Sequence, residues 1–169
     1  RFGTADDRAH VPDGAQVPIC TPDQIASDNS IVDVYGNREG LGATATAPYG
    51  CYNSNPPTSG LHNASPMPWG VLRNPAPKEN LVHNMEHGGI VIWYNTDDAE
   101  AIKMLTDITN DARGHDRLVV MSKYTEMEPN TIALTAWTRL DKFPVTDLAK
   151  KRVQDFISAH NKRFNPEGF

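Results

Sequence analysis

Long hydrophobic runs are missing from this chain of 169 residues. The longest is Ile90-Val91-Ile92-Trp93-Tyr94, whereas a bilayer-crossing helix needs roughly 20 apolar residues, so no transmembrane segment is expected. An excess of positive charge is missing as well. Sixteen Lys and Arg stand against 21 Asp and Glu, a net charge of -5. Binding phosphate backbones requires a concentrated positive field, so nucleic acid is excluded as the main partner. There is no phosphate-cradling glycine loop, nucleophile elbow or dinucleotide fingerprint. The chain opens on Arg1 with no basic-then-apolar leader behind it, the pattern expected where a signal or anchor segment has been removed.

Cysteine is scarce: only Cys20 and Cys51 occur, each among turn-forming residues and without C-x-x-C spacing. Two cysteines permit one pairing. The reading is a disulfide that closes a loop of about 30 residues, worth roughly 3–4 kcal/mol in the chain-entropy model, in an oxidising compartment. Two independent thiols are the alternative.

What is present falls into two halves. Ten of the 13 prolines lie in the first 77 residues and ten of the 12 glycines in the first 89. Residues 1–80 therefore read as turns, short strands and extended segments, with residues 31–35 the best strand. A short helix is expected over 81–87, stopped by Gly88, then a strand over 90–94. Asp97 with Glu100 resembles a helix-capping pair, and Ile102, Leu105, Ile108 and Ala112 follow at helical spacing. Residues 118–121 and 132–137 read as the strands of an antiparallel hairpin. Thr146 is positioned to cap a last helix carrying Val153, Phe156, Ile157 and His160 on one face. The expectation is an α+β single domain over 1–169. Its mixed or antiparallel sheet is covered by two main helices, with a loop-rich, stapled half (1–80) and a regular half (81–169).

The densest chemical signal is the segment from Leu81 to Gly89, LVHNMEHGG. On a helix His83 and His87 share a face, so both imidazoles can meet one ion. The plainer alternative is that they bond neighbouring backbone. His62, in PPTSGLH, adds a third imidazole from a turn-rich loop, and His10 adds a fourth. Met67 offers a thioether, and Glu86 a fourth ligand or an orienting carboxylate. Asn84 points away from the histidine face, so its replacement by Ala is not expected to collapse metal affinity. The string from His83 to His87 also fits the HxxEH signature of zinc peptidases in which the glutamate activates water. The short chain and the immediate passage into a strand speak against that activity. His160 and the three tryptophans read as packing residues. The cation-rich stretch 139–163 reads as a solvated helix face, with an anionic membrane or acidic partner as the alternative.

These blocks resemble the bacterial and archaeal family called domain of unknown function 3105. The likeness rests on PPTSGLH at 56–62, Trp69-Gly70, LVHNMEHGGIVIWY at 81–94, IALTAW at 132–137 and Asn165-Pro166-Glu167, with His10-Val11-Pro12 similar to the start of that family's domain. The resemblance implies an extracytoplasmic domain, commonly behind an N-terminal hydrophobic anchor, and intact histidine blocks at His62, His83, Glu86 and His87. It implies no activity. Leu61 stands where a proline is expected, a change that should loosen the turn.

The functional expectation is an extracytoplasmic transition-metal-binding protein using His62, His83 and His87, with His10, Glu86 and Met67 as further candidates. Copper precedes zinc under the Irving–Williams order. A blue-copper centre is excluded, because a Cys20–Cys51 disulfide removes the thiolate it needs. The role would be metal binding and delivery, or that of an accessory subunit beside a membrane-associated or extracytoplasmic protein. A non-metal structural subunit and a zinc metallohydrolase are the alternatives.

Overall fold

Residues 10–26 and 49–163 are those described by the structure, a computed structural model. The apolar run becomes the middle of a sheet. In β4 (Ile90–Asn95) the side chains alternate, Ile90 and Ile92 to one side and Val91 and Trp93 to the other. All four are fully buried, as befits a strand covered on both faces.

Around β4 the chain places, in order, β1 (His10–Val11), α1 (Pro22–Ala26), β2 (His62–Asn63), β3 (Gly70–Val71) and α2 (Lys78–Glu86). After β4 come α3 (Ala99–Gly114), β5 (Val119–Lys123), β6 (Thr131–Ala136), β7 (Arg139–Pro144), a 3-10 turn (Val145–Asp147) and α4 (Lys150–His160). The main sheet runs β3-β5-β4-β6-β7. β5 is parallel to both β3 and β4, whereas β4–β6 and β6–β7 are antiparallel. This is the expected α+β architecture with a mixed sheet.

The long helices α3 and α4 cover one face, where Leu105, Ile108, Val153 and Ile157 pack on Ile90, Ile92, Met121 and Leu134. The other face is covered by Leu81, Val82 and Met85 of α2 together with Val11, Val17 and Tyr52 of the loop-rich half. The described residues of that half form only short strands and helices and pack onto the sheet as their floor, and the histidines lie on this side.

Three local expectations are corrected. The segments at 118–121 and 132–137 do not pair with each other: β4 lies between β5 and β6. The hairpin is instead β6–β7, and β7 (RLDKFP) is polar enough to escape a hydrophobic reading because it is an edge strand with a mostly open face. Asp98, not Asp97, caps α3 by accepting from the Glu100 and Ala101 amides, while Asp97 pairs with Lys123. Thr146 caps nothing at α4, which starts from Ala149 without a side-chain cap; Thr146 lies in the 3-10 turn. The strand expected at 31–35 and the 165–167 block lie outside the described residues.

The helix stop does follow the sequence. His87 is the C-cap of α2, and Gly88 adopts φ +81°, a conformation glycine takes without steric cost. The Gly88 amide donates to Met85 O (2.9 Å) and the Gly89 amide to Asn84 O (3.0 Å), the paired bonds of a Schellman ending. Gly89 admits no side chain: a Cβ there would stand 2.4 Å from the Trp69 ring. The staple is also present. Cys20 is bonded to Cys51, flanked by backbone bonds from Cys20 N to Tyr52 O (2.7 Å) and Tyr52 N to Pro18 O (2.8 Å).

Candidate metal centre

Two very short strands set the geometry. β1 and β2 pair in parallel with His10 opposite His62 and Val11 opposite Asn63, and register partners in a parallel pair project to the same side. Helix α2 lies against β2 and contributes His83 and Glu86, three positions apart and so on one helical face. One donor atom from each of His10, His62, His83 and Glu86 falls within 4.8 Å of all the others. Donors around a tetrahedral ion at about 2.0–2.1 Å stand about 3.4 Å from one another. Side-chain shifts on the order of an ångström would close the group on an ion.

Hydrogen bonds orient two of the rings. His62 Nδ1 lies 2.8 Å from Gly60 O and His83 Nδ1 lies 2.8 Å from Asn63 O. A carbonyl only accepts, so each Nδ1 carries the proton and donates. In a neutral His83 ring this leaves the lone pair on Nε2. His62 Nε2 then meets Glu86 Oε2 at 2.8 Å, with the histidine fully buried and the carboxylate 3% exposed. His83 Nε2 meets His87 Nε2, also at 2.8 Å. With the His83 proton on Nδ1, His87 is the donor of that bond in the neutral pair. The rings are nested: His10 stacks on His83 (5.4 Å between centroids, 14°), and His62 stands edge-on to both at 5.2 Å.

The electrostatics keep two of the donors, Glu86 and His83, in binding form. Burial alone would raise the Glu86 pKa, but the His62 hydrogen bond and the surrounding imidazoles outweigh it, and the carboxyl is held below its ordinary value. Burial lowers the His83 pKa, against a smaller opposing pull from the Asn63 carbonyl. The ring therefore stays neutral further into acid.

A second layer holds the loops that carry these groups. Tyr52 Oη donates to Leu61 O at 2.5 Å, pinning the residue before His62 despite the leucine where proline was expected. Burial raises the Tyr52 pKa, which keeps its donor proton in place. Asn63 Nδ2 donates to Asp13 Oδ1 (2.9 Å), tying β2 to the turn after β1. Buried Glu79 accepts from Val17 N at 2.8 Å and pairs with Lys78, which reaches Glu126 as well.

The structure thus brings together His62, His83, His10 and Glu86. His87 lies outside the four-donor group, half-buried at the helix end. Met67 packs against the core, and its backbone N–H and C=O are both held by the Asn84 amide, at 2.9 and 2.8 Å. Asn84 is fully buried. His160 lies against Phe156 instead. The cations of 139–163 largely meet acids: Arg152 grips Asp141 through two bonds, and Lys142, Lys151 and Lys162 pair with Glu128, Asp155 and Asp116. Sequence reasoning missed the Gly60 and Asn63 carbonyls, since a backbone acceptor carries no residue-type signal. Tyr52 had one indirect signal, its place beside Cys51.

A family model described as "Protein of unknown function (DUF3105)" matches residues 50–168. The span includes His62, His83, Glu86 and His87, while His10 and Cys20 precede it. No curated protein and no solved structure matches the chain. No helix among the described residues is long and apolar enough to cross a membrane.

Proposed function

The chain belongs to the DUF3105 family, and from that premise we propose that it binds one transition-metal ion outside the cytoplasm through His10, His62, His83 and Glu86. The observation that carries this reading is the pair of Nδ1–H donations, His62 to Gly60 O and His83 to Asn63 O. Fixing the ring and tautomer through the second nitrogen is how proteins orient imidazole ligands. Three imidazoles and one carboxylate suit Cu(II) and Zn(II), and copper is the tighter binder at such a site. The disulfide supports an oxidising compartment. Glu86 touches His62 and lies among the donors, which supports the role of a ligand over that of a proton-moving base. His87, the second histidine of HxxEH, lies outside the donor group, and this weakens the hydrolase reading. Four largely buried donors that can fill a tetrahedral shell favour holding and delivering an ion, or supporting a neighbouring extracytoplasmic subunit, over turnover.

One observation favours a second, non-metal reading. The His62–Glu86 contact is itself a closed, buried pair, and such a pair can fix the loop-rich half without an ion.

Elemental analysis of protein purified without a metal-affinity tag separates the two. One ion per chain in wild type, lost in His62→Ala and His83→Ala but kept in the exposed control His115→Ala, supports the metal centre. No uptake of Cu(II) or Zn(II) by wild type leaves the structural reading.

A further inference from the structure

His87 is the histidine of the HxxEH string that the four-donor group leaves out, yet it touches that group. Its backbone is fixed as the C-cap of α2, with its amide bonded to His83 O at 3.2 Å, and its side chain is engaged with the His83 ring. Its ring lies against that of His83 at 4.7 Å and 27°, and the His10 ring lies nearly parallel to His83 at 14°. His62, His83 and Glu86 are buried and so is the His10 Nε2 atom, although His10 as a residue is partly exposed, and His87 is partly exposed at the helix end. The nitrogen that His87 meets, His83 Nε2 at 2.8 Å, is the one freed for metal by the bond from His83 Nδ1 to Asn63 O.

We infer that His87 is the transfer ligand of this centre: an incoming ion is held first by His87 at the surface and passes to the buried group through His83, whose Nε2 serves both positions. The inference rests on the proposed metal site and adds its route of loading and release. The step is a ligand exchange with no change in oxidation state. As the ion arrives, the His87–His83 hydrogen bond opens and its proton passes to solvent. The bond to His83 Nε2 is then kept while the metal–His87 bond and the ion's water bonds break and bonds to His10, His62 and Glu86 form. The released water and donor protons pass to solvent, and the His87 ring returns, reprotonated, to its contact with His83. A shared nitrogen lets the ion stay bonded throughout, so no bare aqueous ion has to enter a buried site.

The test is kinetic. Cu(II) alone is the probe, followed by stopped-flow tryptophan quenching, since the Trp137 ring lies 6.2 Å from that of His62; release is driven by a competing chelator. In His87→Ala, and in His87→Asn, which keeps a residue type tolerated at helix ends, uptake and release should both slow by at least about tenfold. The equilibrium affinity should change by less than about threefold, far below the effect of losing a ligand. An affinity loss of about tenfold or more with unchanged uptake would make His87 a permanent ligand and overturn the inference. Unchanged rates and affinity would overturn it as well. Wild type that neither quenches nor takes up the ion would remove the metal centre itself, a failure distinct from that of the route.

Discussion

His62 Nε2 and Glu86 Oε2 stand 2.8 Å apart, shielded from solvent, while His62 Nδ1 donates to Gly60 O. Both nitrogens of this ring therefore face oxygen acceptors, and the contact between the two side chains is closed on itself. A metal ion must open that contact to reach either donor.

Metal loading should release protons, because imidazole and carboxylate donors hold an ion only in their deprotonated forms. Calorimetric titration with Cu(II) in buffers of different ionisation enthalpy measures the release directly. In Glu86→Gln the release should shrink and the affinity should weaken by about ten- to a hundredfold. Loading with no proton release would mean that the ion binds elsewhere.

Acid should destabilise the metal-free fold in two stages, both of the same sign. Burial holds the His83 pKa below its ordinary 6.5, so below about pH 6.5 the unfolded chain takes up a proton that the folded chain resists, and stability falls. The Glu86 pKa is held below its ordinary 4.5, mainly by the His62 bond acting against burial. Its stabilisation is complete above that value and is lost as pH falls through the lower, folded one. Urea unfolding midpoints measured from pH 7.5 to 4 should decline throughout. A midpoint that rises on acidification through pH 6 would reject the assignment for His83.

Cutting the staple should loosen the centre as well as the fold. The Cys20–Cys51 bond and the Tyr52 backbone bonds tie the arm that follows His10 to the segment that leads into His62, and Tyr52 Oη continues the tie to Leu61. Cys20→Ser with Cys51→Ser should cost about 2–4 kcal/mol in denaturant unfolding. It should also weaken metal binding, because His10 and His62 must then be brought together at binding. An unchanged affinity in a folded double variant would show that the β1–β2 pairing suffices.

Asn84→Ala should destabilise the protein by about 2 kcal/mol, since it strips partners from both the N–H and the C=O of Met67. Thermal unfolding checks the loss. Metal affinity should change much less than in His83→Ala, because Asn84 contributes no donor to the group.

Much of the fold was legible because it is locally encoded. The alternation of β4, the apolar face of α3 and the Gly88 stop depend on neighbours within one turn or one pleat, and two cysteines allow a single pairing. His83 and Glu86 were legible for the same reason, since helical spacing places them on one face. What the tertiary structure alone decided depends on partners far away in the chain. β5 prefers β4 to β6, although β6 is the next strand along, because β4 has two edges to fill and both faces to bury. β1 and β2 are two residues each, too short to show any periodicity, and only their pairing sets His10 beside His62. His83 and His87 looked equivalent by spacing. The helix ends between them, so one turns into the buried group and the other stays at its margin, within reach of water.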